Sequence, residues 1–231
     1  MHKTIGILGG MSPESTVAYY EYITRTYTDR YGDYSYPEVL IYSVSFQTYV
    51  DWPRQGRWDL VAQGLSEAAR VLEAAGADVV LIATNTMHIV FHEVASSIAV
   101  PMLSLLDAVA HAVQRCELKT VGLLGTAFTM EETFYPEALA EKDIAVLVPG
   151  PEDRRLVDQV IYDELVAGRI RDSSRDTFVR IIHDLASRGA EGVILGCTEI
   201  PLLVSERDVG LPLFDTTVIH ADAALRYAVD T

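Results

Sequence analysis

Two strand-to-helix turns carry the side chains of this sequence best suited to proton chemistry. "VILGCTEIP" sets Cys197 between Gly196 and Thr198-Glu199, and "LIATNTMH" sets Thr84 immediately before Asn85-Thr86. A thiol at a helix start is favoured as thiolate, because the unpaired amides there carry partial positive charge, so its pKa is expected below the reference of about 8.5. Glu199, two residues on, offers an acceptor for a hydrogen bond or a proton relay, while its own charge pushes the thiol the other way. Thr84 is different in kind: an aliphatic hydroxyl does not ionise in the physiological range, so it can hand a proton to a developing carbanion but makes a very poor base. The competing reading of Cys197, an inert buried cysteine, suits small apolar settings better than it suits "GCTE".

Other turns offer hydroxyls and amides. Ser12 is a good helix N-cap with Pro13 at the first helical position, and Thr129-Met130-Glu131-Glu132 has capping-box spacing. Capping alone accounts for both hydroxyls; the functional alternative is that the amides form a carboxylate-binding edge. Gly6, Gly9 and Gly10 miss the Gly-x-Gly-x-x-Gly spacing of a dinucleotide loop, and no Walker loop is present. The three lysines, Lys3, Lys119 and Lys142, all lie outside the turns, so pyridoxal phosphate has no candidate Schiff base. His88 and His92 have zinc-compatible spacing but no evident third ligand, and a structural role is expected for both. The same is expected of His220, although Asp215 precedes it by five residues at another strand end.

The elements that position these turns follow from periodicity. Eight apolar runs, "TIGILGG", "VLIYSVSF", "DVVLIAT", "VPMLSLL", "TVGLLGT", "IAVLVPG", "GVILGCT" and "LPLFDTT", alternate with helix-length amphipathic stretches, as in βαβ units around a parallel sheet. Thr4–Gly10 matches Thr120–Thr126, Gly76–Thr84 matches Gly189–Cys197, and Val100–Met102 matches Leu211–Leu213, at a nearly constant offset of about 111–116 residues. Three matched segments in one order indicate an internal duplication, hence a pair of α/β lobes, residues 1–104 plus 212–231 and residues 105–211, with the last helix, from Val218 to Val229, crossing back to the first. Ligands in such sheets bind beyond the carboxyl ends of strands. Lobes that face each other would place Thr84 and Cys197 on opposite sides of one cleft.

Composition bounds the partners. Of 231 residues, 49% are hydrophobic, which excludes a disordered chain, and the net charge of −15 argues against nucleic acid and against anionic membranes. No apolar stretch of about 18 residues appears and no signal peptide is evident, so a cytoplasmic protein is expected. Cys116 and Cys197 sit in dissimilar contexts, and at least one free thiol is expected.

"IGILGGMSPESTVAYY", "TNTMH", "LLGTAFTMEETFY", "VIYDELVAG", "GCTEIPLL" and "PLFDTTVIHADAAL" together resemble the aspartate/glutamate racemase family, within the cofactor-independent amino-acid and hydantoin racemases. The resemblance implies two Rossmann-like lobes, a homodimer, and an acidic amino acid held between two opposed cysteines, one removing the α-proton as the other delivers a proton to the far face, without pyridoxal phosphate or metal. Cys197 matches the second-lobe cysteine; Thr84 stands where the first-lobe cysteine would be. The resemblance further implies that Asn85, Thr86, Thr198 with the adjacent Glu199, and the Met11 turn contact the substrate's amino and carboxylate groups. It puts Gln47 on a loop near the substrate side chain, and Thr126 and Thr129 on the second-lobe wall. Arg54, Arg57, Arg154 and Arg155 are candidate cations for an acidic side chain, whereas Glu164, turned into the cleft, would favour a neutral or basic substrate. Three outcomes of the Thr/Cys pairing follow: a kinetically asymmetric racemase of aspartate or glutamate, a single-thiol decarboxylase or isomerase of a related acid, and a non-catalytic amino-acid binder.

Overall fold

The computed structural model describes residues 2–230. It divides into two compact units, Met1–Ala108 with Thr217–Thr231, and Val109–Thr216.

The first unit is built on β1 (Ile5–Gly9), β2 (Val39–Ser43), β3 (Val79–Ile82) and β4 (Met102–Leu103), all parallel, in the order β2-β1-β3-β4. Around it run α1 (Pro13–Tyr31), α2 (Phe46–Arg54), α3 (Trp58–Ala74) and α4 (Phe91–Ala95). Side chains of a strand alternate between faces, so each buried strand supplies two cores. Leu8, Val80 and Ile82 meet Val61, Leu65, Ala69 and Leu72 of α3. Ile5, Ile7, Val79 and Leu81 meet Tyr19, Ile23 and Tyr27 of α1, together with Ala221, Ala224, Leu225 and Ala228 near the end of the chain.

After α5 (Leu105–Arg115) the plan repeats. The second unit has β5 (Thr120–Leu124), β6 (Ala145–Leu147), β7 (Gly192–Leu195) and β8 (Leu213–Asp215), parallel in the order β6-β5-β7-β8. Its helices are α6 (Ala127–Glu131), α7 (Phe134–Ala140), α8 (Pro151–Val160), α9 (Asp172–Ser187) and α10 (Glu206–Val209). Phe178, Ile181, Ile182 and Leu185 of α9 pack with Leu124, Val193 and Leu195. β8 pairs with β7, and the chain then enters α11 (Thr216–Val229), whose later residues serve the first core. All eight apolar runs form strands. β4 is cut to two residues because Leu105 already begins α5.

The two units share small devices. The Thr4 amide donates to Asp78 at 2.7 Å, and in the second copy the Lys119 and Thr120 amides donate to Glu191 at 2.7 and 2.9 Å. Those two amides hold the Glu191 carboxyl below the usual carboxylate range, so the clasp is present at neutral pH and is lost as pH falls through that lowered value. Gly6 and Gly122 leave room for what covers the strands. A Cβ on Gly6 would stand 2.9 Å from the Cβ of Ala77, in the loop between α3 and β3, and one on Gly122 would stand 2.9 Å from Leu185 Cδ1 of α9. Gly6→Ala should therefore cost about 1–3 kcal/mol, as overpacked cores do, measured as a shift in the urea midpoint; an unchanged midpoint would show that the Ala77 loop gives way freely.

Candidate active site

Every candidate turn lies at the carboxyl end of a strand. In the first unit, β1 leads into Gly10, whose φ of +90° and whose proximity to the Val44 main chain suit only glycine. The Gly10 amide donates to Thr16 Oγ1 at 2.8 Å, and Ser12 Oγ accepts the Ser15 amide at 3.3 Å, so Ser12 caps α1 as its position predicts. Met11 is buried in the apolar cluster beneath α3, which leaves its main chain as the part that can face a ligand. Gln47 is exposed in the first turn of α2 and donates to Asp51 at 2.9 Å.

β3 ends at Ile82, and Thr84 follows, half-buried, with Asn85 buried and Thr86 half-buried behind it. The Thr84 carbonyl oxygen lies 2.9 Å from His88 Nδ1. His88 is buried in a 3₁₀ turn, Thr86–Val90, with both ring nitrogens engaged, while His92 is exposed. His220 does not pair with Asp215; it turns into the first core, against Tyr19.

In the second unit, Thr126 caps α6, with the Thr129 amide 3.5 Å from its Oγ1 and the two hydroxyls 3.2 Å apart. The cap thus falls three residues earlier than the Thr-x-x-Glu spacing suggests, because β5 ends at Leu124 and the turn is short; Thr129 is the buried residue inside the helix. Asp158 of α8, which the sequence reading passed over, accepts the Ala127 amide at 2.7 Å. A protein carboxylate therefore occupies the amide edge that a ligand carboxylate would seek.

Cys197 occupies the slot of β7 that Thr84 occupies of β3, two residues past the last strand residue in each case. Its thiol is half-buried against the second core and donates to Glu199 Oε2 at 2.8 Å; the same oxygen accepts the Thr198 hydroxyl at 2.7 Å. Glu199 itself is buried. The expected thiolate-favouring environment is overturned here. Burial pushes the Cys197 thiol well above its ordinary value and the Glu199 charge adds to this, outweighing the amides of Thr198 and Glu199, which favour the anion. The turn that follows, Ile200–Leu202, is a three-residue 3₁₀ turn, which lends less dipole than the helix start that the sequence suggested. At rest the site holds a thiol hydrogen-bonded to a carboxylate.

The candidate cations are mostly engaged. Arg57 pairs with Asp59, Arg154 with Glu131 and the Pro149 carbonyl, and Arg155 lies 3.4 Å from the Pro151 carbonyl. Arg54 is exposed in the last turn of α2. Glu164 lies in a π turn, Ile161–Leu165, and accepts from Ser174 at 2.6 Å and Arg171 at 3.2 Å, so its charge is already met within its own unit. Among the described residues no helix is long and apolar enough to cross a membrane.

Residues 8–224 match the family model described as Asp/Glu/Hydantoin racemase. The chain belongs to that family. It is thereby an isomerase of the racemase type. Among solved structures, it is similar to a candidate Asp/Glu racemase from Yersinia pestis, at 42% identity and TM-score 0.93 over 98% of this chain and 99% of that one. It is also similar to an aspartate racemase homologue from Pyrococcus horikoshii OT3, at 39% identity and TM-score 0.86 over 99% of both chains. Among characterised sequences, the broad specificity amino-acid racemase RacX of Bacillus subtilis (strain 168) is 24% identical over 96% of each chain. The α/β architecture with two parallel sheets expected from the duplicated strands is the fold that the Yersinia pestis and Pyrococcus horikoshii structures share with this chain.

The state of the thiol is open to direct titration. With Cys116 replaced by Ser, alkylation of Cys197 by iodoacetamide should be slow at pH 7 and rise only above pH 9. Glu199→Gln removes the nearby negative charge, so the rise should move to lower pH; an unmoved profile would show that Glu199 has no hold on the thiol.

Proposed function

We propose that the chain racemises a small acidic amino acid, aspartate or glutamate, without a cofactor, using Cys197 and Thr84 on the two faces of the α-carbon. The observation that carries this reading is the pairing of Cys197 with the buried Glu199, the arrangement of a nucleophile beside its own proton acceptor. The Thr84 assignment is supported by topology: it takes the same position after the third strand of an identical sheet order. The choice of acidic substrates is supported by the names of the similar proteins.

The proton steps balance as follows. Glu199 takes the thiol proton, and the substrate ammonium offsets the charge gained by the sulfur. The thiolate removes the α-proton, and the electron pair left on carbon spreads into the substrate carboxylate. Thr84 then donates its hydroxyl proton to the opposite face and regains one from water, and the hydroxide so formed is neutralised by the proton that Glu199 took from Cys197, which restores all three groups. In the reverse direction Thr84 would have to act as base, for which a hydroxyl is poorly suited. The reaction is thus kinetically asymmetric, fast from the enantiomer that shows its α-hydrogen to Cys197. Enantiomers are equal in free energy, so the low turnover of the other form is balanced by its Michaelis constant.

A second reading, a decarboxylase or isomerase with one thiol proton donor, is favoured by the resting protonation of Cys197, since such a reaction needs a donor on one face only. Deuterium incorporation into each enantiomer of aspartate and glutamate, followed separately, tests both. Cys197→Ala should reduce α-hydrogen exchange by about 10²–10⁴-fold, and retained exchange would remove it from the mechanism. Thr84→Cys should accelerate the slow direction most; equal acceleration of both would contradict the asymmetry, and carbon dioxide release from a disubstituted malonate would favour the second reading.

A further inference from the structure

The hydroxyl turn is held by a device that the thiol turn lacks. β3 pairs as far as Ile82, the Ala83 amide donates to the Leu8 carbonyl at 2.9 Å, and the chain then leaves the sheet, so the Thr84 carbonyl passes beyond the reach of the ladder. His88 meets it at 2.9 Å through Nδ1. The other ring nitrogen, Nε2, accepts the amide of Leu105, the first residue of α5, at 3.0 Å. Because a main-chain amide only donates, Nε2 must be unprotonated, and the ring proton sits on Nδ1 and is given to Thr84.

The ring has no freedom to turn. Phe91 stacks on it with centroids 5.4 Å apart and planes 5° apart, and His220 meets its edge at 5.9 Å. His220 is fixed in the complementary tautomer. Its Nε2 donates to the Leu103 carbonyl at 3.0 Å and its Nδ1 accepts the Tyr19 hydroxyl at 2.9 Å. Burial holds both imidazoles neutral, His88 down to about 4 and His220 down to about 3. In the other repeat the position matching His88 is Pro201, and the Cys197 carbonyl accepts the Ile200 amide at 3.2 Å instead.

We infer that His88 is a positioning residue of the racemase site: its Nδ1–H holds the Thr84 carbonyl so that the Thr84 hydroxyl keeps the aim its proton delivery requires, and the Leu105 amide on Nε2 fixes the tautomer that supplies this donor. The inference rests on the reading of Thr84 given above. A thiolate is a strong enough base to tolerate some disorder, whereas a weak hydroxyl acid depends on being held in line, and misplacement by about 1 Å costs on the order of 10²-fold.

Two substitutions separate the two ring nitrogens. In His88→Asn the amide nitrogen takes the place of Nδ1 and keeps the donor to Thr84. In His88→Gln the longer side chain puts an acceptor in the place of Nε2, keeps Leu105 satisfied and leaves Thr84 without its donor. The readout is inversion per α-deuterium exchange event for each aspartate enantiomer in the full chain, which general loss of folded protein does not change. The Gln variant should lower this ratio by about tenfold, and the Asn variant should stay within about twofold of the wild type. Equal ratios in the two variants would overturn the inference. Thr84→Ala separates the failures: an unchanged ratio there sinks the Thr84 reading itself, while a changed ratio with Gln indistinguishable from Asn sinks only the role of His88. Should both His88 variants fail to fold, ¹⁵N spectra of the wild-type histidines decide. A proton on Nδ1 with no titration between pH 5 and 8 is expected, and a protonated Nε2 or a titration in that range would overturn the inference.

Discussion

A buried carboxylate that takes two hydrogen bonds on one oxygen sets the character of the Cys197 turn. Glu199 holds the Cys197 thiol and the Thr198 hydroxyl together, and it does so where water contributes little. The same closeness that makes it a proton acceptor also makes it a neighbour whose charge resists thiolate formation. Under the function proposed above, a substrate ammonium beside the sulfur would favour the anion, so that base strength would be coupled to occupancy.

The duplication explains how two equivalent turns can carry unequal groups. Both sheets follow one strand order, both have an acidic side chain just before the third strand that clasps main-chain amides at the entry to the first, and both have a closely packed glycine in the first strand. The scaffold is common, so the difference lies in the turns. One turn ends in a thiol backed by a carboxylate, the other in a hydroxyl backed by an imidazole. Each backing group suits its partner: a carboxylate accepts the hydrogen bond of the thiol, and a neutral ring meets a main-chain carbonyl without adding charge.

The fold was legible in the sequence because buried parallel strands read as unbroken Val, Ile and Leu runs, and because the repeated runs "TIGILGG" and "TVGLLGT" expose the second copy. The positions of Thr84 and Cys197 beyond their strands followed from the same pattern. The acid–base state of the thiol did not, since the depth of Glu199 and the brevity of the turn after it are products of tertiary packing. Asp158 over the Ala127 amide and Leu105 against His88 are pairings between distant segments, brought together by the sheet order. No local motif announces them. The α6 cap was misplaced for a simpler reason: two threonines three residues apart, Thr126 and Thr129, both look like caps, and only the end of β5 chooses between them.

The path of α11 bears on how the chain matures. The second unit is one continuous stretch, and its last strand is fastened when the Thr216 hydroxyl donates to the Leu195 carbonyl at 2.9 Å. The first unit is interrupted: one side of β1 and β3 is covered in part by Tyr19, Ile23 and Tyr27 of α1 and is completed only by Ala221, Ala224, Leu225 and Ala228. The first core thus needs both ends of the chain, whereas the second can be assembled from one unbroken segment.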